Sequence, residues 1–173
     1  YPELVLIDGV RLEVVAVDGP GSTEIVAPSA FARCVLVSGV GSSDSRIEGF
    51  TLRDGFSFDL GGGMRISGGA RGIEIVDCIL ASNSAASSGG GAAVSDDSTV
   101  RFAECIFRGN EAGTQGGGLF IAADGGFTIE RCRFEGNTAG GDGGGACIGG
   151  IVLVFEQVEG RQAAEARRGR ERA

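Results

Sequence analysis

A repeat of about 27 residues constrains the fold of this chain more than any other feature of its sequence. Four kinds of marker recur in the same register: glycine triplets, cysteines, asparagines and alanines. The triplets begin at Gly61, Gly89, Gly116 and Gly143, and the other markers are Cys78, Cys105 and Cys132, then Asn83, Asn110 and Asn137, then Ala85, Ala112 and Ala139. A fixed period of this length is typical of solenoids, in which each repeat forms one turn of the chain.

Each repeat is predicted to contain two short strands separated by a polar or glycine-containing turn. The first strand follows the glycine triplet, as in residues 119–121. The second alternates apolar and polar residues, as around Val100 and Phe102, which is the pattern of a half-buried strand. The cysteine comes three residues after the last alternating apolar position, and this shift predicts a bulge or bend.

Equivalent positions return only once per repeat, which disfavours hairpins. Stacked turns would instead place these positions about 4.8 Å apart in parallel pairing, with like side chains above one another. An antiparallel sandwich is the alternative, but it does not require the same residue type to recur at a fixed interval. The sequence therefore predicts an all-β fold, a right-handed parallel β-helix solenoid of five to six coils with about 27 residues per coil.

The regularity of the repeat divides the chain into three parts. We expect irregular N-terminal β-helix coils in residues 1–60, regular repeats in residues 61–158 and a charged C-terminal tail in residues 159–173. In the last repeat, Leu153, Phe155 and Val158 fit inward-facing positions if that unit is one residue short. Three interpretations of the tail stay open: a capping helix, a disordered segment, or a frameshifted reading of the repeat.

The chain is acidic, with a formal net charge of −8 and no histidine. An acidic surface argues against nucleic acids and anionic membranes as partners, because both bind positively charged surfaces. No run of about 18 apolar residues is present, so we expect no membrane span. The chain begins Tyr1-Pro2 rather than with Met, which favours a fragment or a mature product. We expect a monomer or a part of a longer chain.

Two short motifs carry a resemblance to a known family. Residues 107–110 and 134–137 read Phe-Arg-Gly-Asn and Phe-Glu-Gly-Asn, and residues 90–94 read Gly-Gly-Ala-Ala-Val. This pair resembles the repeats of the polymorphic outer membrane protein family, and it is similar to the wider class of bacterial right-handed β-helix proteins with a pectin-lyase-like fold. The resemblance covers residues from about 10 to 150. The first regular repeat departs from the motif, because it has Leu80 where the family has Phe.

The resemblance implies a secreted or cell-surface protein, associated with the outer membrane. Its expected function is that of a β-helix scaffold in adhesion, as an autotransporter-like passenger or as a module that interacts with polysaccharides or cell-surface glycans, without catalysis. The alternative is a polysaccharide lyase or hydrolase of the pectin-lyase-like class. The fold alone does not decide between them, because it carries many functions.

The cysteine and asparagine columns are predicted to be structural ladders. Cys78, Cys105 and Cys132 read as small buried side chains, with a disulfide between adjacent coils as an alternative. Cys34 and Cys147 fall outside the column, and five cysteines leave at least one unpaired. The asparagines Asn83, Asn110 and Asn137 read as turn residues whose stacked amides bond along the axis. A ligand-binding role is their alternative.

No catalytic or metal-binding constellation stands out in the sequence. Asp96, Asp97 and Asp124 lie in equivalent turns and are candidate calcium ligands, although solvated turn residues are the default interpretation. No other cofactor is expected. Arg101 and Arg108, near Asp96 or Glu104, could imitate a lyase site, but ordinary outward charges are the simpler interpretation. The chain lacks histidine and lysine, so the usual acid–base groups are scarce, and its glycine triplets are predicted to form tight corners.

Overall fold

Four parallel sheets wind around one axis in the computed structural model. It describes residues 4–122, 126–149, 151–158 and 161–168, and only the backbone of the last two segments. The first coil contributes one short strand to each of three sheets, and each of the next four coils contributes one to all four. One turn of 3-10 helix, Val40–Ser42, lies in the second coil between its first two strands. The described residues therefore form a solenoid made almost entirely of strands.

Strands of successive coils lie side by side in each of the four sheets. Sheet I contains β1 (Val5–Asp8), β4 (Val35–Ser38), β8 (Met64–Ser67), β12 (Ala92–Val94), β16 (Leu119–Ile121) and β20 (Ala146–Ile148), followed by β21 (Ile151–Val158) and β22 (Arg161–Arg168). Sheet II contains β2 (Glu13–Val15), β5 (Arg46–Glu48), β9 (Ile73–Val76), β13 (Thr99–Ala103) and β17 (Gly126–Glu130). Sheet III contains β3 (Glu24–Val26), β6 (Thr51–Arg53), β10 (Ile79–Ala81), β14 (Ile106–Arg108) and β18 (Arg133–Glu135). Sheet IV contains β7 (Phe56–Ser57), β11 (Ser84–Ala85), β15 (Glu111–Ala112) and β19 (Thr138–Ala139).

The strand register confirms the predicted parallel β-helix. Leu119 pairs with Ala92 below it and Ala146 above it, which is one repeat in each direction. Toward the N-terminus the steps lengthen, because Val5 pairs with Val35 and Val35 pairs with Met64. About five coils are stacked in this way. The spacing between paired residues is constant where the sequence period is constant, and it is longer in the coils that precede those repeats.

Each of the regular coils has four strands where the sequence predicts two. The predicted second strand is broken after its alternating part by a residue with left-handed backbone geometry: Asp77 (φ 45°), Glu104 (φ 58°) and Arg131 (φ 51°). Each of them directly precedes a cysteine of the repeat, so the predicted bend lies there. The apolar alternation continues on both sides of the bend, which is why the pattern did not separate sheets II, III and IV.

The glycine triplets form the corner between sheet IV and sheet I. Gly89 has a positive φ of 72°, which an L-residue adopts only with strain. A Cβ atom on Gly90 would overlap the carbonyl oxygens of Glu111 and Gly117 in the adjacent coil. Backbone therefore packs directly on backbone at this corner, which confirms the expectation that the triplets form tight corners and explains why no side chain is tolerated.

Apolar side chains of all four sheets fill the interior. Leu80 and Phe107 are fully buried, and the rings of Phe107 and Phe134 stack with centroids 4.7 Å apart. The outward positions of sheet II carry charges instead, with Arg46 and Arg101 both contacting Glu74. The alternation of the sequence thus places a continuous apolar core inside and paired charges outside.

The parallel stacking ends at Ile148, earlier than residue 158, where the regular repeats were expected to end. β21 runs antiparallel to β20, and β22 runs antiparallel to β21. The backbone groups of β20 are thereby paired by a hairpin rather than by another coil. The side chains of Leu153, Phe155 and Val158 lie outside the described residues.

The tail contains a strand where a capping helix was one interpretation. Arg161–Arg168 are β22, because the free backbone edge of β21 supplies hydrogen-bond partners that override the helix propensity of this Ala/Arg/Glu-rich segment. Residues 159, 160 and 169–173 lie outside the described residues, and the disordered and frameshifted interpretations of the tail stay predictions there.

Candidate binding groove and inward ladders

The three asparagines lie in a single file along the axis. The Nδ2 of Asn83 donates to Oδ1 of Asn110 (3.1 Å), and the Nδ2 of Asn110 donates to Oδ1 of Asn137 (2.9 Å). The backbone N–H of Asn83 and of Asn110 donates to the same oxygens. Each amide also donates to a carbonyl oxygen one coil away, as Asn110 does to Leu80 (2.9 Å).

This file satisfies the buried polar groups of its central amide. Oδ1 of Asn110 accepts two hydrogen bonds and its Nδ2 donates two, which is the full donor capacity of the amide. Asn83 and Asn110 are fully buried, so these groups face no solvent. The geometry gives the asparagines a structural role in closing the corner after sheet III, and it leaves no amide N–H of Asn110 for a ligand.

Cys78, Cys105 and Cys132 lie in a second file inside the helix. Each thiol points at a carbonyl oxygen two residues earlier, as Cys78 does at Val76 (3.2 Å), and at one from the coil below. All five cysteines of the chain are buried, and none of them forms a disulfide in the structure. The column packs as small buried side chains.

Burial sets the chemistry of these thiols. Desolvation raises the pKa of Cys78 to about 11. A hydrogen bond between the thiols of Cys105 and Cys132 raises the pKa of Cys105, together with its burial, and lowers the pKa of Cys132. Thiols that stay protonated, as the raised pKa values of Cys78 and Cys105 imply, are poor nucleophiles and poor metal ligands.

Cys34 and Cys147 lie outside the column, as predicted. Cys34 is at the head of the asparagine file, where its thiol points at the carbonyl of Arg53 (3.3 Å) and at Oδ1 of Asn83 (3.9 Å). Burial raises the pKa of Cys34 to about 12. Cys147 aligns with Phe120 of the neighbouring coil and is also buried.

The candidate calcium ligands are turn residues. Asp96 and Asp97 both have left-handed backbone geometry, and the Asp96 carboxylate accepts the backbone N–H of Gly68 (3.3 Å). Asp124 lies outside the described residues. Within the described part of the chain, no three His, Cys, Asp or Glu side chains are grouped so as to hold a metal ion.

The residues that could imitate a lyase site are engaged in ion pairs or lie apart. Arg101 contacts Glu130 (2.8 Å) and Glu74 (3.7 Å). Glu104 contacts Arg131 (2.5 Å). Arg108 is exposed on β14, a different sheet from Arg101. The structure does not bring these side chains together into one constellation.

A groove on the side of the N-terminal coils is a concave surface formed by described residues. It has a volume of about 640 Å³. One wall is the outward face of sheet I, at Leu36 on β4 and Arg65 on β8; the other is formed by the loop before β4 and by the segment from β7 onward. A backbone hydrogen bond from Phe56 to Ala32 (2.9 Å) joins the two parts of that second wall.

Three phenylalanines form an aromatic cluster on the second wall. The rings of Phe31 and Phe58 are stacked with centroids 5.5 Å apart, and Phe56 packs edge-on against Phe58 at 4.9 Å. Phe31 is 70% exposed and Phe58 is 72% exposed. Contiguous exposed aromatic surface is costly in water and marks interaction sites. We refer to Phe31, Phe56 and Phe58 as the aromatic wall.

Charged and polar groups lie beside the aromatic wall. Arg33 donates to Oγ of Ser57 (3.0 Å), and Arg65 contacts Asp59 (3.0 Å). Burial lowers the pKa of Arg33, the neighbouring Arg65 guanidinium lowers it further, and Asp59 partly offsets both. The groove thus combines an apolar surface with two guanidinium groups and one carboxylate.

The groove was not among the sites predicted from the sequence. Its residues come from the N-terminal coils, where the steps between paired strands of sheet I are longer and no column of identical residues exists. One signal was present: Phe56 and Phe58 flank Ser57 in an alternating pattern outside the repeat register. Such a pattern predicts a strand with outward aromatic side chains.

One further observation concerns membranes. Among the residues that the structure describes, no helix has the length and apolar character needed to cross a bilayer.

Comparison with known proteins agrees with the fold. A family model described as the right-handed beta helix region matches residues 33–153, more than two thirds of the chain. The chain therefore belongs to the right-handed β-helix family. Comparison with curated proteins and with solved structures finds no significant match.

Proposed function

We propose that this chain is a secreted or cell-surface β-helix scaffold that binds glycans in its N-terminal groove without catalysis. The observation that carries the proposal is the aromatic wall, in which Phe31 and Phe58 are stacked and more than two thirds exposed. Aromatic faces and the C–H faces of sugar rings pack on each other, while nearby polar groups bond the hydroxyls. The groove offers both kinds of surface.

The architecture supports a scaffold role. The coils are held by parallel pairing in four sheets, and the groove is built on sheet I and on a loop hydrogen-bonded to sheet IV. A site on a rigid framework loses little entropy when it binds a ligand. Adhesion, a passenger of an exported protein and an outer-membrane-associated location are the biological settings that the resemblance to outer membrane repeats supports.

Replacing Phe58 by Ala tests the proposal. Binding of the purified chain to an array of plant, microbial and host glycans identifies a ligand, and calorimetry then measures affinity for the wild type and for Phe58→Ala. We expect a loss of about tenfold or more, since stacking on an aromatic ring contributes on the order of 1 kcal/mol or more beyond area burial. Phe127→Ala is the matched control, because Phe127 is exposed on sheet II away from the groove. Absence of any glycan binding, or equal affinities of all three proteins, would refute the proposal.

A polysaccharide lyase or hydrolase is the second candidate. Its supporting observation is that one carboxylate, from Asp59, and two guanidinium groups, from Arg33 and Arg65, line the same groove. Incubation with polygalacturonate or alginate, with and without calcium, tests it through the ultraviolet absorbance of an unsaturated product. Product formation that Asp59→Asn abolishes would rank the enzyme first.

A melting temperature lowered by a chelator would support calcium at Asp96 and Asp97.

A further inference from the structure

Arg33 differs from the other arginines that the structure describes. Six of them contact a carboxylate: Arg46, Arg53, Arg65, Arg101, Arg131 and Arg133. Of those without such a contact in the described residues, Arg11, Arg71 and Arg108 are exposed, and only Arg33 is half-buried. Arg33 donates to Ser57, and the more distant Asp59 only partly offsets the effect of its burial. A guanidinium partly removed from water is stabilised by a direct contact with an anion, and an anion in the groove would supply that contact.

Arg65 lies beside Arg33 and has one donor without a partner among the described residues. Its Nε atom is buried and has no hydrogen-bond partner in the described structure, while its Nη1 contacts Asp59. Asp59 is mostly exposed, with 66% of its side chain accessible. Two guanidiniums thus face one carboxylate, which leaves one positive charge in excess on a chain whose net charge is −8.

We infer that the groove selects anionic glycans, with the acid group of the sugar held between Arg33 and Arg65 and the apolar face of the ring on Phe31 and Phe58. The inference deepens the proposed glycan binding and rests on it. Guanidinium groups bind planar carboxylates and sulfates through paired N–H donors, and these hydrogen bonds are about twice as strong as neutral ones. Carboxylate and sulfate share this chemistry, and the experiment distinguishes them.

The charge of the whole chain makes the site specific. An acidic surface repels polyanions at long range, so binding of an acidic sugar has to come from local contacts in the groove. Nonspecific attraction by a basic surface is excluded as an explanation of selectivity. Added salt has two opposing effects on the binding of an acidic sugar. It screens the long-range repulsion by the acidic surface, which acts beyond the Debye length of about 10 Å at 0.1 M, and it weakens the attraction at the arginines.

Two pairs of oligosaccharides with matched backbones test the inference. Oligogalacturonate is compared with its methyl ester, and a carrageenan oligosaccharide with its desulfated form. Calorimetry measures the affinity of the wild type, Arg33→Gln, Arg65→Gln, Phe58→Ala and the control Arg108→Gln. Arg108 is exposed on β14 outside the groove, so its variant removes one charge without touching the site.

We expect the wild type to prefer at least one acidic probe over its neutral partner by about tenfold or more. Arg33→Gln and Arg65→Gln should abolish that preference and keep the neutral affinity, and Phe58→Ala should weaken both members of the pair. Which pair shows the preference identifies carboxylate or sulfate. Equal affinities for acidic and neutral probes, both dependent on Phe58, would overturn the anion site and leave the glycan groove standing. Binding to none of the probes or array glycans would overturn both, and a preference retained in Arg33→Gln would overturn the role of Arg33.

Discussion

Single residues show how strictly the interior is specified. Asn110 uses both lone-pair directions of Oδ1 and both N–H groups of Nδ2 in hydrogen bonds to Asn83, Asn137 and Leu80. An aspartate of the same shape has acceptors only. It would face the oxygen atoms of Leu80 and Asn137 without a proton to share, and this defines the first prediction.

Asn110→Asp should lower the free energy of unfolding by about 3–5 kcal/mol, because it buries a negative charge against the oxygens of Leu80 and Asn137 and removes two hydrogen bonds to them. Asn137→Asp is the matched control, since Asn137 is only half-buried and its Oδ1 still accepts from Asn110 when it becomes a carboxylate. We expect a loss of about 1–2 kcal/mol there. Urea unfolding at neutral pH measures both. Equal losses would contradict the file of amides.

The buried thiols predict instability at alkaline pH. Burial raises the pKa of Cys34 to about 12 and that of Cys78 to about 11, whereas an unfolded cysteine titrates near about 8.5. The folded state therefore keeps protons that the unfolded state loses. Their stabilising contribution is fully present below the unfolded pKa and is lost as the pH rises through the folded pKa.

Unfolding free energies measured from about pH 8 to pH 11 should therefore fall with rising pH. Cys34→Ser removes one titrating group and keeps a donor for the Arg53 carbonyl. It should reduce the slope by up to roughly 1.4 kcal/mol per pH unit. A slope unchanged by this substitution would show that the Cys34 thiolate forms as easily in the folded chain as in the unfolded one.

At the scale of elements, the corner between sheets IV and I limits which sequences can form a coil. Gly90 lies against the backbone of Glu111 and Gly117, so an added methyl group forces two coils apart. Gly109 has left-handed backbone geometry, with φ of 60°, but nothing lies within 4 Å of the Cβ it would gain. Substituting Gly90 therefore tests steric conflict between coils, and substituting Gly109 tests backbone strain alone.

Gly90→Ala should lower the unfolding free energy by about 3 kcal/mol or more, or prevent folding, because separated coils lose contacts throughout the corner. Gly109→Ala should cost about 1–2 kcal/mol, the strain of left-handed geometry alone. Thermal unfolding followed by circular dichroism compares them. A Gly90→Ala protein as stable as Gly109→Ala would mean that the coils do not approach closely at this corner.

The same elements show what the sequence could predict. The coil length and the pairing of like residues follow from repeated columns such as Asn83, Asn110 and Asn137, because in-register stacking is the arrangement that places them together. The corner before each cysteine has no column of identical residues: its residues are Asp77, Glu104 and Arg131, which are exposed, carry charges of either sign and share left-handed backbone geometry. The division into four sheets was therefore not visible in residue types.

The groove was not predictable for a different reason. Phe31 and Phe58 come from successive coils and lie in contact, but neither belongs to a repeated column. The placement of Phe31 depends on the backbone bond between Ala32 and Phe56. Local propensity does not encode such a contact.

On the scale of the whole molecule, the apolar interior and the backbone ladders carry the stability, and the outward ion pairs such as Arg131 with Glu104 contribute little because both side chains are exposed. The ends of the stack differ in sheet I alone. Among the described strands β1, β2 and β3 at one end, and β17, β18 and β19 at the other, each pair with one neighbour, whereas β20 also pairs with the hairpin of β21 and β22. The groove lies on the side near the first end, away from the hairpin.

Selective 15N labelling of asparagine gives the most direct test of the stacked coils, since Asn83, Asn110 and Asn137 are the only asparagines in the chain. A nuclear Overhauser experiment on the three side-chain amides should show contacts from Asn83 to Asn110 and from Asn110 to Asn137, none from Asn83 to Asn137, and slow hydrogen exchange for the two buried amides. Three mutually isolated amides that exchange rapidly with water would contradict the stacking of the coils.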